Sequence, residues 1–138
     1  MTLEEDHIVD IKESQLRYFG GPGKMLLPSQ ETVAALLAEI PERQLLTTDL
    51  LRKTLAARFQ VQGTCPVTTK KALKAIANNP NTAVAYWRVI KQNGELMNYY
   101  PGGVKEHVRC LQQEGFAIDD SGKSPRVENY KASLARLE

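Results

Sequence analysis

The clearest pattern in the chain is a set of apolar residues spaced as on one face of a helix. Val33, Leu36, Leu37 and Ile40 lie three or four positions apart, and Ser29 before them can accept a hydrogen bond from the first turn. The spacing predicts an amphipathic helix whose apolar stripe packs in a core.

Similar spacing predicts further helices along the chain. They are expected over about 48–59, 68–78 and 104–115, and a last one over about 127–137. Asn79-Pro80 is a stop signal for the third helix, because a residue before proline avoids the helical region. Thr68 or Thr69 is the expected cap of that helix, and Gly115 is the expected end of the fourth.

Residues 83–90 alternate in a way that is typical of a strand with both faces partly covered. Asn93-Gly94 follows, and this pair suits the tight turn of a β-hairpin. Three helices and then a hairpin predict a mainly α fold with a small β-hairpin. The expected architecture is a single winged helix-turn-helix-like domain in which the third helix is the recognition helix.

Composition narrows the class of protein. The chain has 138 residues, 42% hydrophobic and 25% charged, which is ordinary for one globular domain. No apolar run approaches the roughly 18 residues of a membrane span, and the acidic N-terminus lacks a signal peptide, so a cytoplasmic protein without a membrane partner is expected. Two Cys and two His, without metal-site spacing or a cofactor motif, predict no metal and no cofactor.

Charge is unevenly distributed. Residues 68–110 carry seven Lys and Arg against two Glu, whereas residues 1–19 are net acidic. Lys70, Lys71 and Lys74 share the polar face of the third predicted helix. This segment predicts a surface for a polyanion, with a merely solvated face as the alternative.

Several landmarks stand in a distinctive order, and they are Lys70-Lys71, Asn79-Pro80, Trp87-Arg88-Val89, Tyr100-Pro101-Gly102-Gly103 and Glu114. This order resembles the DNA-binding module of the alkylguanine-DNA alkyltransferases, which repair alkylated bases. The resemblance covers about residues 28–116, so residues 1–27 are interpreted as an N-terminal arm and residues 117–138 as a helical C-terminal extension.

The resemblance also shows a loss. That family has an alkyl-accepting Cys followed by His, and here Tyr86 or, in a register shifted by one residue, Trp87 stands at the position of the Cys. The alkyltransferase-like proteins, which bind damaged DNA without repairing it, often carry Trp there. The resemblance therefore implies no catalytic residue and no enzyme.

Further site residues follow from the resemblance. Lys70 stands where the family has an Arg that enters the base stack, and Lys71 and Lys74 would meet phosphates. Asn79 is similar to the Asn that ties the recognition helix to the site, whereas Asp49 replaces a Tyr beside the target phosphate. Residues implied around a base pocket are Tyr86, Trp87, Arg88, Tyr99, Tyr100, Gly102, Gly103 and Glu114. We expect Glu114 either to accept a hydrogen bond from Trp87 or to cap local structure, and Arg88 to be structural rather than to contact DNA.

The favoured hypothesis is a monomeric, non-catalytic protein that binds double-stranded DNA, receives a flipped or damaged base and hands the lesion to a repair protein. A protein-interaction or regulatory module on the same scaffold is the alternative. A third hypothesis is a residual enzyme that uses Cys65 or Cys110 as acceptor, and either thiol could also simply be buried.

Overall fold

The computed structural model describes residues 5–137, and over this range the fold is built from five α-helices and seven short strands. Residues 1–4 of the predicted arm and Glu138 of the predicted extension lie outside it. The elements are β1 (His7–Asp10), α1 (Leu16–Phe19), β2 (Lys24–Leu27), α2 (Gln30–Leu37), β3 (Leu46–Thr47), α3 (Thr48–Arg58), β4 (Gly63–Thr64), α4 (Pro66–Asn78), β5 (Val89–Ile90), α5 (Gly103–Gln113), β6 (Ile118–Asp119) and β7 (Arg126–Val127).

The prediction of the first helix is confirmed by α2. The Ser29 hydroxyl accepts a hydrogen bond from the Thr32 backbone N–H at 3.1 Å, which satisfies one free donor at the helix start. The apolar stripe is buried and joins the same core cluster as the apolar face of α4, which contains Leu73 and Ile76. Burial of this stripe, at roughly 25 cal/mol per Å², is the main term that holds α2 in place.

The second, third and fourth predicted helices are also present, as α3, α4 and α5. Helix α4 starts at Pro66, earlier than the predicted Thr68 or Thr69, because a proline at the first helical position loses no hydrogen bond. Helix α5 is followed by Gly115, whose φ of +100° fits the predicted stop.

The described part of the predicted N-terminal arm folds against the helices. Strand β1 pairs antiparallel with β2, and β2 pairs parallel with β4. One Asp6 carboxylate oxygen accepts from the Ser29 backbone N–H at 2.7 Å and the other from the Thr32 hydroxyl at 2.7 Å. Asp6 thus fastens this segment to the start of α2.

The predicted strand over residues 83–90 is wrong for most of its length. Only Val89–Ile90 is a strand, β5, and it pairs parallel with β3. Tyr86–Arg88 form a 3₁₀ turn. A strand would send Trp87 and Arg88 to opposite faces, but both side chains bind the same carboxylate, that of Glu114.

The predicted hairpin is therefore also wrong. The Asn93-Gly94 turn exists, since the Gly94 backbone N–H donates to Lys91 O at 2.9 Å and Gly94 has a φ of +88°. However, β5, which precedes the turn, pairs with β3, so the turn does not join two paired strands. Near the C-terminus, β6 and β7 pair with each other and form an antiparallel two-stranded sheet.

The predicted C-terminal helix over about 127–137 is wrong as well. This segment contains β7, a 3₁₀ turn at Tyr130–Ser133 and an extended stretch. The backbone of Leu45 donates to Ser133 O at 2.8 Å and accepts from the Ala135 N–H at 2.8 Å. A helix would use those backbone groups internally, so this pairing with Leu45 excludes it.

The residues that the structure describes lack both a helix fit to span a membrane and a cluster of metal-ligating side chains. None of its helices combines the length and the apolar character that crossing a bilayer requires. Within residues 5–137 no three His, Cys, Asp or Glu side chains are grouped as metal ligands would be.

Candidate nucleic-acid interface

Four aromatic residues that the sequence singled out lie together, and we call them the aromatic cluster: Tyr86, Trp87, Tyr99 and Tyr100. Ring centroids are 5.4 Å apart for Tyr86 and Trp87, 5.1 Å for Tyr86 and Tyr100, and 5.3 Å for Tyr99 and Tyr100. All three pairs are edge-to-face, the arrangement that aromatic quadrupoles favour. The cluster joins the 3₁₀ turn after α4 to the loop before α5.

Tyr100 belongs to the core of the cluster. It is 3% exposed, and its hydroxyl donates to Val89 O at 3.3 Å. Burial raises the pKa of Tyr100 well above the ordinary value of a phenol. Its ring therefore supports Tyr86 and Tyr99, which are both partly exposed.

The two partly exposed tyrosines of the cluster, Tyr86 and Tyr99, are neutral phenols at physiological pH. Burial raises the pKa of Tyr99 to about 12. Burial, with smaller contributions from Cys110 and Glu106, also raises the pKa of Tyr86. Uncharged aromatic rings next to a basic surface are suited to stacking on nucleobases.

Trp87 is fixed by Glu114. The indole Nε1–H donates to Glu114 Oε1 at 2.7 Å, which confirms the predicted hydrogen bond. Arg88 Nε donates to the same oxygen at 2.9 Å, and an Arg88 terminal N–H donates to Ile40 O at 2.8 Å, so the structural role expected for Arg88 is confirmed. The Arg43 backbone N–H completes the set, at 2.6 Å from Glu114 Oε2.

The charge state of Glu114 agrees with these hydrogen bonds. Burial of Glu114 by itself disfavours the charged carboxylate, but donation from Arg43 N–H, Arg88 and Trp87 outweighs burial and lowers its pKa. Glu114 is therefore a charged acceptor, and charged acceptors make the stronger hydrogen bonds.

His107, which the sequence interpretation missed, holds the backbone of Trp87. Its Nδ1 accepts from the Met97 backbone N–H at 3.0 Å, so Nε2 carries the proton and donates to Trp87 O at 2.8 Å. Burial lowers the pKa of His107 to about 4, which keeps the ring neutral. Its position between Val104 and Leu111, on the apolar face of a predicted helix, was the available signal.

The cationic residues lie on α4 beside the cluster. Lys70, Lys71 and Lys74 are exposed, as the helical pattern predicted. Lys70 Nζ lies 5.2 Å from the centroid of the Tyr99 ring, a cation–π distance. Arg52 of α3 also acts on Tyr99 electrostatically and is a cation that the sequence interpretation missed.

The tie between α4 and the site is made by a different residue from the one expected. Asn79 Oδ1 accepts from the Asn81 backbone N–H at 2.9 Å and so closes the turn after α4. It is Asn78 whose Nδ2 donates to Tyr99 O, at 3.3 Å, and to Lys74 O, at 2.8 Å. At Asn78, one position earlier than Asn79, the side-chain amide points to the loop that carries Tyr99.

Gly102 and Gly103 form the backbone between the cluster and α5. Their φ angles are +79° and +71°, which disfavour other residues. A Cβ on Gly102 would also lie 2.6 Å from the Cβ of Glu106, whereas a Cβ on Gly103 would meet nothing within 4 Å. The backbone at Gly103 is thus open to approach.

Neither thiol is placed as an activated nucleophile. Cys65 is 8% exposed at the start of α4, and its sulfur accepts from the Thr68 hydroxyl at 3.4 Å. Cys110 lies close enough to Tyr86 to affect its titration, but burial raises the pKa of Cys110. A raised pKa reduces the thiolate that alkyl transfer requires.

Comparison with known proteins places the fold in a class. No protein-family model matches the sequence, and no curated protein is significantly similar to it. Solved structures do match, and they identify the fold as that of the alkyltransferase-like proteins, as the sequence resemblance predicted.

The matching structures are two crystal structures from S. pombe. One is Atl1 in complex with damaged DNA containing O6-carboxymethylguanine, at 21% identity and a TM-score of 0.59. The other is ATL in complex with DNA, at 20% identity and the same TM-score of 0.59. Each alignment covers 78% of this chain and 94% of the S. pombe chain.

Proposed function

We propose that this chain is a non-catalytic DNA-binding protein that recognises alkylated or otherwise damaged bases. The observation that carries the proposal is the contact between an exposed lysine helix and a partly exposed aromatic cluster, made at Lys70 and Tyr99. Phosphate contacts and base stacking are the two components of unpaired-base recognition. The matching S. pombe proteins were crystallised with DNA, one of them with a damaged base, which supports the proposal.

Helices α3 and α4 would act as a helix-turn-helix-like reader within a domain of about residues 28–116. Helix α4 would approach a groove of double-stranded DNA, and Lys70, Lys71 and Lys74 would bind backbone phosphates. Asn79 at the end of α4 is expected near the same backbone. Lysines act there as point charges, so they position the protein without reading sequence.

The base pocket would be formed by Tyr86, Trp87 and Tyr99, together with the open backbone at Gly103. Trp87 is held in place before DNA arrives, by Glu114 at its indole N–H and by His107 at its carbonyl. Rings that are already ordered lose little conformational entropy when a base stacks on them. A flipped or damaged base would therefore bind to a preformed surface.

Binding to three duplexes tests the proposal: plain, O6-alkylguanine-containing and abasic DNA of one sequence. We expect tighter binding to alkylated than to plain duplex, and Tyr86→Ala should remove that preference. Lys70→Glu should weaken binding to all three, whereas the exposed control Lys123→Glu should not. Equal affinity of the wild type for plain and alkylated DNA would refute damage recognition.

The non-catalytic part of the proposal has its own test. Intact-mass spectrometry after incubation with alkylated DNA should show an unmodified protein, because Cys65 is buried and the pKa of Cys110 is raised. An added alkyl mass, on either Cys65 or Cys110, would make the protein an enzyme that uses a relocated acceptor.

One observation favours the alternative of a protein-interaction module. Asp49 is an anion at the position where the resembled family has a Tyr facing phosphate, and it would repel DNA there. Lack of binding to any of the three duplexes, with the fold intact, would favour this alternative.

A further inference from the structure

The C-terminal segment, residues 131–137, forms an open edge beside β3 and β5. Leu134 pairs in parallel with Leu45, whose backbone donates to Ser133 O and accepts from the Ala135 N–H. Leu45 directly precedes β3, and β3 pairs with β5, so the segment extends this small parallel sheet. Among the described residues no strand pairs with the outer side of the segment.

The outer side of this edge has free backbone groups. Because Ser133 O and the Ala135 N–H both point to Leu45, the N–H and C=O of Leu134 between them point away from it. Leu134 is extended, with φ of −67° and ψ of 131°, and it is partly exposed. Within residues 5–137 neither Leu134 nor Arg136 has a hydrogen-bond partner for its backbone. Another chain can add as a strand to groups of this kind.

Two grooves border the segment, and Ala132, Leu134 and Arg136 line both of them. The first groove, of about 550 Å³, has α3 as its other wall. The second, of about 630 Å³, has the loop between α2 and β3 as its other wall. Since successive side chains of a strand point to opposite faces, a strand added at Leu134 would have room for side chains in both grooves.

The charges along the grooves are of one sign. Lys131 and Arg136 line the first groove, Arg43 and Arg136 line the second, and all three side chains are exposed. Among the described residues no acidic side chain lines either groove, and no ion pair involves any of the three cations. The surface therefore complements a partner that carries carboxylates.

A peptide fits this surface better than a nucleic acid does. Within the described residues no aromatic ring lines either groove, so an unpaired base would have no ring to stack on. Leu46, Leu50 and Leu137 instead give the first groove apolar walls that suit aliphatic side chains. A phosphodiester backbone also lacks the N–H groups that the Leu134 carbonyl can accept from, whereas a peptide backbone supplies them.

We propose that the C-terminal segment binds an extended acidic peptide of a partner protein, which adds as a strand to its open edge. The peptide backbone exchanges hydrogen bonds with Leu134, and apolar side chains enter the groove beside α3. The peptide carboxylates face Arg43, Lys131 and Arg136. Neither groove shares a lining residue with α4 or with the aromatic cluster, so the peptide site is separate from the proposed DNA contact and independent of it.

Fluorescence anisotropy with a labelled peptide tests the site. The probe alternates glutamate with valine over about six residues, the length of a typical strand. Lys131→Glu combined with Arg136→Glu should weaken its binding at least about 10-fold, because like charges then face each other. The exposed control Lys123→Glu should leave binding unchanged, and so should Lys70→Glu on α4. Thermal melting of the double variant establishes that it is folded.

Amide hydrogen exchange tests the backbone pairing separately from charge. In the free protein the Leu134 amide should exchange faster than the Ala135 amide, which donates to Leu45. Saturation with the probe should slow exchange at Leu134. N-methylation of alternate amides along one edge of the probe should abolish binding, whereas methylation along the other edge should not.

Several results would overturn the proposal. They are no binding of the acidic probe at about 1 mM, equal binding of a probe with lysine in place of glutamate, and a Leu134 amide that is already protected in the free protein. Binding that survives N-methylation along either edge would reduce the contact to charge attraction. Displacement of the probe by an equal concentration of a short single-stranded oligonucleotide would assign the three cations to nucleic acid.

Discussion

At Glu114, one carboxylate receives donors from three residues in two separate parts of the chain. Trp87 and Arg88 donate from the 3₁₀ turn after α4, and Arg43 donates through its backbone from the loop after α2. Arg88 and Glu114 are both mostly buried, with side chains 14% and 15% exposed. Glu114 therefore orders Trp87 and also joins α5 to the rest of the site.

Glu114→Gln should destabilise the protein by about 1–3 kcal/mol, because the buried Arg88 loses its charged partner. Urea unfolding of the wild type and the variant measures this change. Glu106→Gln is the matched control, since Glu106 forms an exposed pair with Arg109 on the same helix and such pairs contribute little. Equal effects of the two substitutions would contradict the role given to Glu114.

His107 makes a prediction about pH. The pKa of His107 is about 4 in the folded chain, below the usual value near 6.5 for an unfolded chain. Between these values the unfolded chain binds a proton that the folded chain does not bind. The contribution of neutral His107 to the free energy of unfolding is therefore complete above about pH 6.5. It is lost as the pH falls towards 4, by at most about 1.4 kcal/mol per pH unit.

Unfolding free energies measured from pH 6.5 to 5 test this prediction. The range stays above the lowered pKa values of Glu39, Glu106, Glu114 and Asp119. The wild type should lose stability across it, and His107→Gln should show a flatter profile. The exposed control His7→Gln should keep the wild-type slope, and a steep slope in His107→Gln would assign the titration to another group.

At the scale of elements, the packing of α1 on β4 depends on Gly63, which has no side chain. Phe19 lies against the backbone of Gly63, where a Cβ would be 2.3 and 2.5 Å from two ring carbons. Backbone strain is not involved, because Gly63 has no positive φ. The constraint is steric.

Gly63→Ala should therefore cost about 1–3 kcal/mol through overpacking. Gly122→Ala is the control, because a Cβ there meets nothing within 4 Å. In a double-mutant cycle, most of the cost should disappear when Phe19 is replaced by Ala as well. Additive effects of the two substitutions would show that the ring does not contact position 63 in solution.

The sequence predicted helices α2 to α5 well because their apolar spacing matches their burial. Val33 and Leu37 illustrate this, since both are 0% exposed on the face that the pattern assigned to the core. Local pattern is sufficient where one face of a helix simply packs on a core.

The sequence failed where long-range contacts decide the backbone. Residues 83–90 read as a strand, but Glu114, more than 20 positions away, draws Trp87 and Arg88 to one side. The segment that was predicted to be a C-terminal helix forms backbone hydrogen bonds with Leu45 instead. His107 was missed for the same reason, because its partner Trp87 is distant in sequence.

On the scale of the whole molecule, the account depends on where charge and aromatic surface coincide. The formal net charge is only +2, so the chain as a whole would attract DNA weakly. The exposed lysines of α4 concentrate positive charge beside Tyr99 instead. Local rather than overall charge is what the proposed DNA contact requires.

The salt dependence of duplex binding tests this claim most directly. Each phosphate neutralised contributes about −0.9 to the slope of log K against log salt concentration, so three lysines predict a slope of about −3 or steeper. Lys71→Gln should reduce the steepness by about one, and the control Lys123→Gln should leave it unchanged. An affinity that does not change with salt, or equal slopes for Lys71→Gln and the wild type, would contradict the account.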